Sequence, residues 1–157
     1  MLRRGRVVLD RAFGTLPSRL FLTYSCSKPY TALVVHLLAE RGGLSLDGPV
    51  AARWPEFARR GKGAITARHV LTQTAGVPED DAVRALLTAT DWRASVPRME
   101  ALRPRWPAGA VTAYHTLTHG WILGELARRA SGVAVEELLH RSLLEPIGLR
   151  DILRACR

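Results

Sequence analysis

Tyr24-Ser25-Cys26-Ser27-Lys28-Pro29-Tyr30-Thr31-Ala32-Leu33 is the stretch on which the reading of this chain turns. If it is helical, Ser25 and Lys28 lie one turn apart and their side chains meet on one face. The flanking residues support a helix. Pro29 suits a first turn, where a missing N–H breaks no intrahelical bond, and Gly42-Gly43 supply a stop. Between them Ala32, Leu33, Val34, Val35, Leu37 and Leu38 leave little polar face, so this helix is expected to be buried on most sides. The spacing also has a chemical meaning. A serine hydroxyl is a poor nucleophile until a neighbour takes or redirects its proton, and a lysine held beside it can do so.

Upstream, Arg6-Val7-Val8-Leu9 and Leu20-Phe21-Leu22-Thr23-Tyr24 are short, apolar and β-branched or aromatic, bounded by Gly5, Gly14 and Pro17, and read as the chain's two strands. Downstream the signals are helical. Thr66 can cap a short helix through Leu71, and Asp80-Asp81 can open another through Leu87. A loop rich in Trp and Pro is expected next. It contains Arg103-Pro104-Arg105-Trp106-Pro107-Ala108-Gly109, which cannot sit inside a regular helix. Leu117 to Arg129 and Val135 to Leu144 then read as two helices, parted by Ser131-Gly132 and closed by Pro146 and Gly148.

Further segments combine with the opening stretch into a resemblance. They are Leu37-Leu38-Ala39-Glu40-Arg41-Gly42-Gly43-Leu44-Ser45-Leu46-Asp47, Trp54-Pro55-Glu56-Phe57, and Ile65-Thr66-Ala67-Arg68-His69-Val70-Leu71-Thr72-Gln73-Thr74-Ala75-Gly76-Val77-Pro78. Trp106-Pro107-Ala108-Gly109, Tyr114-His115-Thr116, Gly120-Trp121-Ile122-Leu123-Gly124 and Pro146-Ile147-Gly148-Leu149 follow in the same order. Together they resemble the serine β-lactamase-like family, which includes class C β-lactamases, D-alanyl-D-alanine peptidases and β-lactamase-fold esterases. The resemblance runs from Arg6 to Asp151.

What the resemblance implies is an acyl-enzyme hydrolase without metal or organic cofactor, acting on a small ester, amide or β-lactam. Ser25 would be the nucleophile, Lys28 its proton partner, Tyr114 the general base or acid, and Thr116 a substrate contact where many relatives carry Asn. Free lysine and tyrosine titrate near ~10.4 and ~10, so their surroundings must tune them for neutral pH. The family's third motif, Lys or His, any residue, then Gly on a late strand, is not found after Tyr114. The expected fold is therefore α+β, a mainly helical fragment of the β-lactamase/transpeptidase-like fold with most of its antiparallel sheet missing, and residues 1–157 form one partial domain. A catalytically inactive remnant, or a helical interaction module, is the rival reading. An unpaired sheet edge would also invite self-association.

Composition narrows the remaining classes. The net charge of +9 comes almost wholly from arginine, since lysine occurs only at Lys28 and Lys62. These arginines are scattered among acidic residues with no aromatic-interleaved basic stripe, so no nucleic-acid surface is expected. No run is long enough to span a bilayer and no secretory signal is read near the N-terminus. Cys26 and Cys156 form no framework or C-x-x-C pair, so a reducing, cytoplasmic compartment is expected. Cys26 reads as a small packing side chain. His115 and His119 could share one helix face as metal ligands do, yet no H-E-x-x-H pattern or third ligand accompanies them, so no metal is expected.

Overall fold

The computed structural model describes residues 1–19, 21, 23–79 and 91–149. Among them the chain is mostly helical, with one two-stranded sheet, in accord with an α+β fold whose sheet is small. The strands are β1 (Leu2–Arg3) and β2 (Arg6–Val7), paired antiparallel with Leu2 opposite Val7 and Arg3 opposite Arg6. Arg4 and Gly5 join them with φ of 49° and 76°, the two positive values that match a tight hairpin turn to the strands' twist. The sequence marked Arg6 to Leu9 as a strand and β2 lies within it. Its partner Leu2–Arg3 was not foreseen, because Arg-Gly is a weaker turn signal than Asn-Gly.

The second expected strand is corrected in part. Leu20 and Leu22 lie outside the described residues, but Tyr24, at φ 46°, opens a single 3-10 turn through Ser27. Local polar groups override the residue's β propensity here. The Ser27 hydroxyl donates to the Tyr24 carbonyl at 2.8 Å and Cys26 N–H to that of Thr23 at 3.1 Å.

The helical body begins at α1 (Lys28–Glu40), with Pro29 in its first turn and Gly42 at φ 72° just beyond its end. It buries Val34, Val35 and Leu38, yet Leu33 is 51% exposed and His36 is exposed, so the expectation of burial on most sides is corrected. α1 packs chiefly against α4 (Thr118–Ser131), whose Ile122, Leu123 and Leu126 are buried, and also against the helix over Val135–Leu139, while its remaining face is open. Each such side chain removed from water contributes roughly 1.5–3 kcal/mol before entropy is charged.

The short helix α2 (Ala67–Leu71) forms where the sequence places it. Thr66 Oγ1 accepts from His69 N–H at 3.2 Å, and His69 Nδ1 accepts from Thr66 N–H at 3.2 Å, a reciprocal cap. The helix expected over Asp80 to Leu87 lies outside the described residues.

A further helix, α3 (Trp92–Ala101), occupies part of what was expected to be a Trp- and Pro-rich loop. Asp91 caps it, its carboxylate accepting from Ala94 N–H at 2.8 Å. Pro97 lies inside but on an exposed face, so the carbonyl it leaves without a helical donor, that of exposed Arg93, can turn to water. Packing also favours the helix. Trp92 lies against Gly124, where a Cβ would stand 2.6 Å from the indole, and its Nε1 donates to buried Glu125 at 2.8 Å. After Gly132, α5 (Val135–Leu139) widens into a π turn over His140–Leu144, within the span expected as one helix.

Trp54 and Phe57 fill the base of the core, their rings 5.0 Å apart. Beside them Lys62 is buried and works as an internal staple, donating to the carbonyls of Arg59, Glu100 and Leu102 at 2.8, 2.7 and 2.6 Å. Burial pulls its pKa down to about 8, against the opposing charge of Glu100.

Candidate active site

Three segments converge on Ser25. The 3-10 turn carries the serine itself, and Lys28 opens α1 directly behind it, its backbone N–H donating to the Ser25 carbonyl. The third segment, leading into α4, brings Tyr114 from 89 residues away, with the Tyr114 hydroxyl donating to Ser25 Oγ at 2.5 Å. Lys28 Nζ donates to the same Oγ at 3.2 Å and to the Thr116 carbonyl at 2.7 Å, and stands 4.8 Å from the centre of the Tyr114 ring. The serine oxygen is thus held by two proton-bearing groups at once.

The Tyr114 segment is fixed by a loop that sequence reading noticed only as a landmark. Gln73, at φ 63°, accepts on its backbone carbonyl from Ala113 N–H at 3.0 Å and on Oε1 from His115 N–H at 2.7 Å. These bonds flank Tyr114 on both sides. Glu79 then anchors the start of α4, accepting from Leu117 N–H on Oε1 and from the Thr118 hydroxyl at 3.0 Å on Oε2. A carboxylate there meets otherwise unpaired N–H groups and the positive end of the helix dipole. Glu79 directly follows Pro78 of the quoted stretch, and an acidic residue is an ordinary anchor for a helix start. The signal missing from the sequence was which helix it would meet.

Gly76 has to be glycine. At φ 77° a Cβ would stand 2.3 Å from the Trp106 carbonyl, and the close approach lets Arg105 N–H reach the Gly76 carbonyl at 2.8 Å.

Electrostatics favour ionisation of Tyr114. The Ser25 hydrogen bond holds the phenol below its usual range, aided by the bond and charge of Lys28, while burial and Glu79 oppose. Thr116 contributes its main-chain carbonyl to Lys28, and its hydroxyl has no hydrogen bond among the described residues. That carbonyl was not foreseen, because a backbone group carries no residue signature.

The two histidines have separate surroundings. His115 Nε2 accepts from Val77 N–H at 3.1 Å while Nδ1 lies 2.6 Å from the Ala113 carbonyl, so both ring nitrogens are engaged in holding the loop. Burial lowers its pKa. His119, in the first turn of α4, is buried with no hydrogen-bond partner for Nδ1 among the described residues, and burial, then the charges of Lys28 and His115, bring it down to about 4. Cys26 is a free thiol and exposed, so the expected packing role is corrected: its turn projects from the body. Cys156 lies outside the described residues. No helix among the described residues is long and apolar enough to cross a membrane.

Comparison with known proteins places the chain in a family. The chain is 35% identical over 128 residues to the esterase/beta-lactamase LipL of Mycobacterium tuberculosis, covering 80% of this chain and 29% of LipL. It is 28% identical over 171 residues to esterase EstB of Burkholderia gladioli, covering 95% of this chain and 42% of EstB. Among solved structures, a family VIII carboxylesterase superposes with a TM-score of 0.72 at 35% identity, covering 80% of this chain and 35% of its own. A penicillin-binding protein homologue from Caulobacter crescentus gives 0.71 at 35% identity, covering 80% and 34%. The chain therefore spans less than half the length of these relatives. The family described as Beta-lactamase matches residues 1–153, and to that family this chain belongs.

Proposed function

We propose that this chain carries the nucleophilic centre of a serine hydrolase that cleaves a small ester or amide through an acyl-enzyme. The observation that carries the reading is the double contact on Ser25 Oγ, 3.2 Å from Lys28 Nζ and 2.5 Å from the Tyr114 hydroxyl. Once Tyr114 ionises, the same contact runs in reverse. The phenolate accepts the Ser25 proton as Oγ attacks the substrate carbonyl, and Lys28 offsets the charge left behind. Collapse of the tetrahedral intermediate passes that proton to the leaving alcohol or amine. Water then attacks the ester on Ser25, with Tyr114 taking its proton, and the serine is regenerated.

The Ser25 backbone N–H is one candidate donor to the oxyanion. In the family that the chain resembles, the third motif supplies a second donor; removing one such donor typically lowers rate by about 10²–10³. LipL and EstB are named as esterases, which favours a carboxylic ester as the first substrate class to try. We place Thr116 at the substrate's edge. Scarce cysteine supports a reducing compartment.

A second reading, an inactive remnant that serves as an interaction module, draws on the exposed apolar side chains of the N-terminal segment, among them Phe13 and Phe21. The two readings separate in one experiment. Folded protein exposed to a fluorophosphonate ester should gain the mass of one probe, and Ser25→Ala should gain none. Absence of labelling in protein whose circular dichroism shows the helical content intact would overturn the hydrolase reading and favour the module.

A further inference from the structure

Thr116 and Leu117 share one peptide group, and that group is gripped from both ends. Its carbonyl accepts from Lys28 Nζ at 2.7 Å, and its N–H donates to Glu79 Oε1. The peptide is trans, so the two bonds leave it on opposite sides, with an ammonium on the carbonyl and a carboxylate on the N–H. Each bond is charge-assisted, and each polarises the peptide in the sense that strengthens the other. The preceding N–H groups are held from the same loop. Those of Ala113 and His115 donate to Gln73 at 3.0 and 2.7 Å, so alternate main-chain donors at 113, 115 and 117 are taken up by residues between 73 and 79.

Lysine is a point charge on a flexible stem, so the place of its Nζ depends on its acceptors. Lys28 has Ser25 Oγ at 3.2 Å and the Thr116 carbonyl at 2.7 Å, and the carbonyl is the closer. A main-chain oxygen aims a lysine only if its own peptide is fixed. The Thr116 hydroxyl makes no hydrogen bond among the described residues, which leaves the fixing to the Leu117 side of the peptide. Glu79 supplies it, and the hydroxyl of buried Thr118, 3.0 Å from Oε2, holds the carboxylate in line. We propose that Glu79 is a positioning residue for Lys28, aiming its ammonium at Ser25 Oγ through the Thr116–Leu117 peptide. The charge of Glu79 opposes ionisation of Tyr114, so its service to the site lies in the aim of Lys28 and not in its field at the phenol. The kinetic consequence rests on the hydrolase reading, whereas the hold on Lys28 does not.

Lysine occurs only at Lys28 and Lys62, so the full chain made with ¹³C-labelled lysine gives one set of side-chain NMR signals for each. Lys28→Met removes one set and thereby assigns both. Lys62, held by the carbonyls of Arg59, Glu100 and Leu102, reports on the body. Glu79→Gln keeps the shape of the side chain and removes its charge. The Lys28 signal should move and its two ε protons should become equivalent, while the Lys62 signal stays in place. The maximal rate of fluorophosphonate labelling should fall about tenfold with the half-saturating probe concentration unchanged, because Lys28 acts in the step on Ser25 and not in probe binding. A Lys28 signal that keeps the parent's position in folded Glu79→Gln would overturn the proposal. So would equal movement of both lysines, which would make Glu79 a support of the body at large. A parent protein that takes no probe, with Lys28 still displaced in Glu79→Gln, would sink the hydrolase reading and uphold the positioning. Coupling through the peptide is reciprocal, which gives a second route should Glu79→Gln fail to fold. Lys28→Met should then shift the Leu117 amide proton, and an unmoved amide would overturn the proposal.

Discussion

From Met1 to Ser27 every described residue is exposed, whereas the buried apolar side chains among the described residues lie between Val34 and Leu144. The two regions do not differ in being apolar; Val7, Val8, Leu9, Phe13 and Phe21 would suit a core as well as Val34 or Ile122 do. They differ in having something to pack against. In the body, α1 and α4 cover each other, and Lys62 and Glu79 satisfy backbone groups that packing would otherwise strand. The N-terminal arm is held by the hairpin and by single-turn bonds. Ser25 lies at the junction, on the arm's last turn, while Lys28 and Tyr114 belong to the body. Its oxygen is therefore positioned from the body's side, and reactivity and stability should be separable by substitution.

Tyr114→Phe is the strongest way to break that separation. The ring is 56% exposed and its hydroxyl bonds to Ser25, so removal should lower the fluorophosphonate labelling rate by about 10²–10⁴ while leaving the urea midpoint nearly unchanged. A midpoint that falls with the rate would show that the site and the body are one cooperative unit. In the unsubstituted protein the labelling rate should rise with pH along the phenol's ionisation, at pH values below the ordinary tyrosine range, because Ser25 and Lys28 favour the phenolate.

Trp54→Ala tests the body alone. The indole is fully buried, lies against Phe57, and donates to Glu100 at 2.9 Å, so the variant should lose about 3–5 kcal/mol in urea denaturation. If any folded fraction remains, its labelling per folded molecule should match the parent.

His119 adds a pH test that the arm cannot mimic. Its folded pKa, about 4, lies below the ordinary 6.5, so its contribution is complete above pH 6.5 and is lost as pH falls toward 4. The loss amounts to about 3 kcal/mol at most. Glu125 acts in a lower window: burial pushes it up, but Arg128, Arg129 and Trp92 outweigh that and bring it to about 2, so its support fades between pH 4.5 and 2. His119→Phe should shrink the upper limb, leaving the share that buried His115 contributes there, and spare the lower one in urea titrations across pH. A parent whose stability is constant from pH 6.5 to 4 would remove His119 from the account.

How much of this could be read from the sequence follows the same division. The Ser25–Lys28 pair, Tyr114, the Thr66 cap and the α4 span were legible because each rests on local spacing, a capping residue or an ordered set of motifs. Helix α3 was not, since Pro97 argues against it locally and its support comes from Gly124 and Glu125, distant in the chain. The Thr116 carbonyl, the Gln73 clamp and the Glu79 anchor stayed hidden for a related reason: long-range hydrogen bonds to main chain have no periodicity. Leu33 misled in the other direction, because hydrophobicity states what a side chain would gain from burial and not whether a neighbour is there to cover it.

Val7→Ser carries the comparison to its smallest expected effect. Val7 has its methyl groups largely in water, opposite a similarly exposed Leu2, so little transfer free energy is at stake and the stability read from urea denaturation should change by no more than about 0.5 kcal/mol. The same change at Val35, fully buried on α1, removes the same volume but leaves a hydroxyl and a gap in the core, and should be far more damaging. The contrast is informative because the side chains are identical and only their surroundings differ. A large loss at Val7 would mean that the arm folds onto the body in solution and that Ser25 is positioned from both sides. A negligible one would mean that the apolar side chains of the hairpin contribute nothing to the stability of the body, and that Ser25 is positioned from the body's side alone.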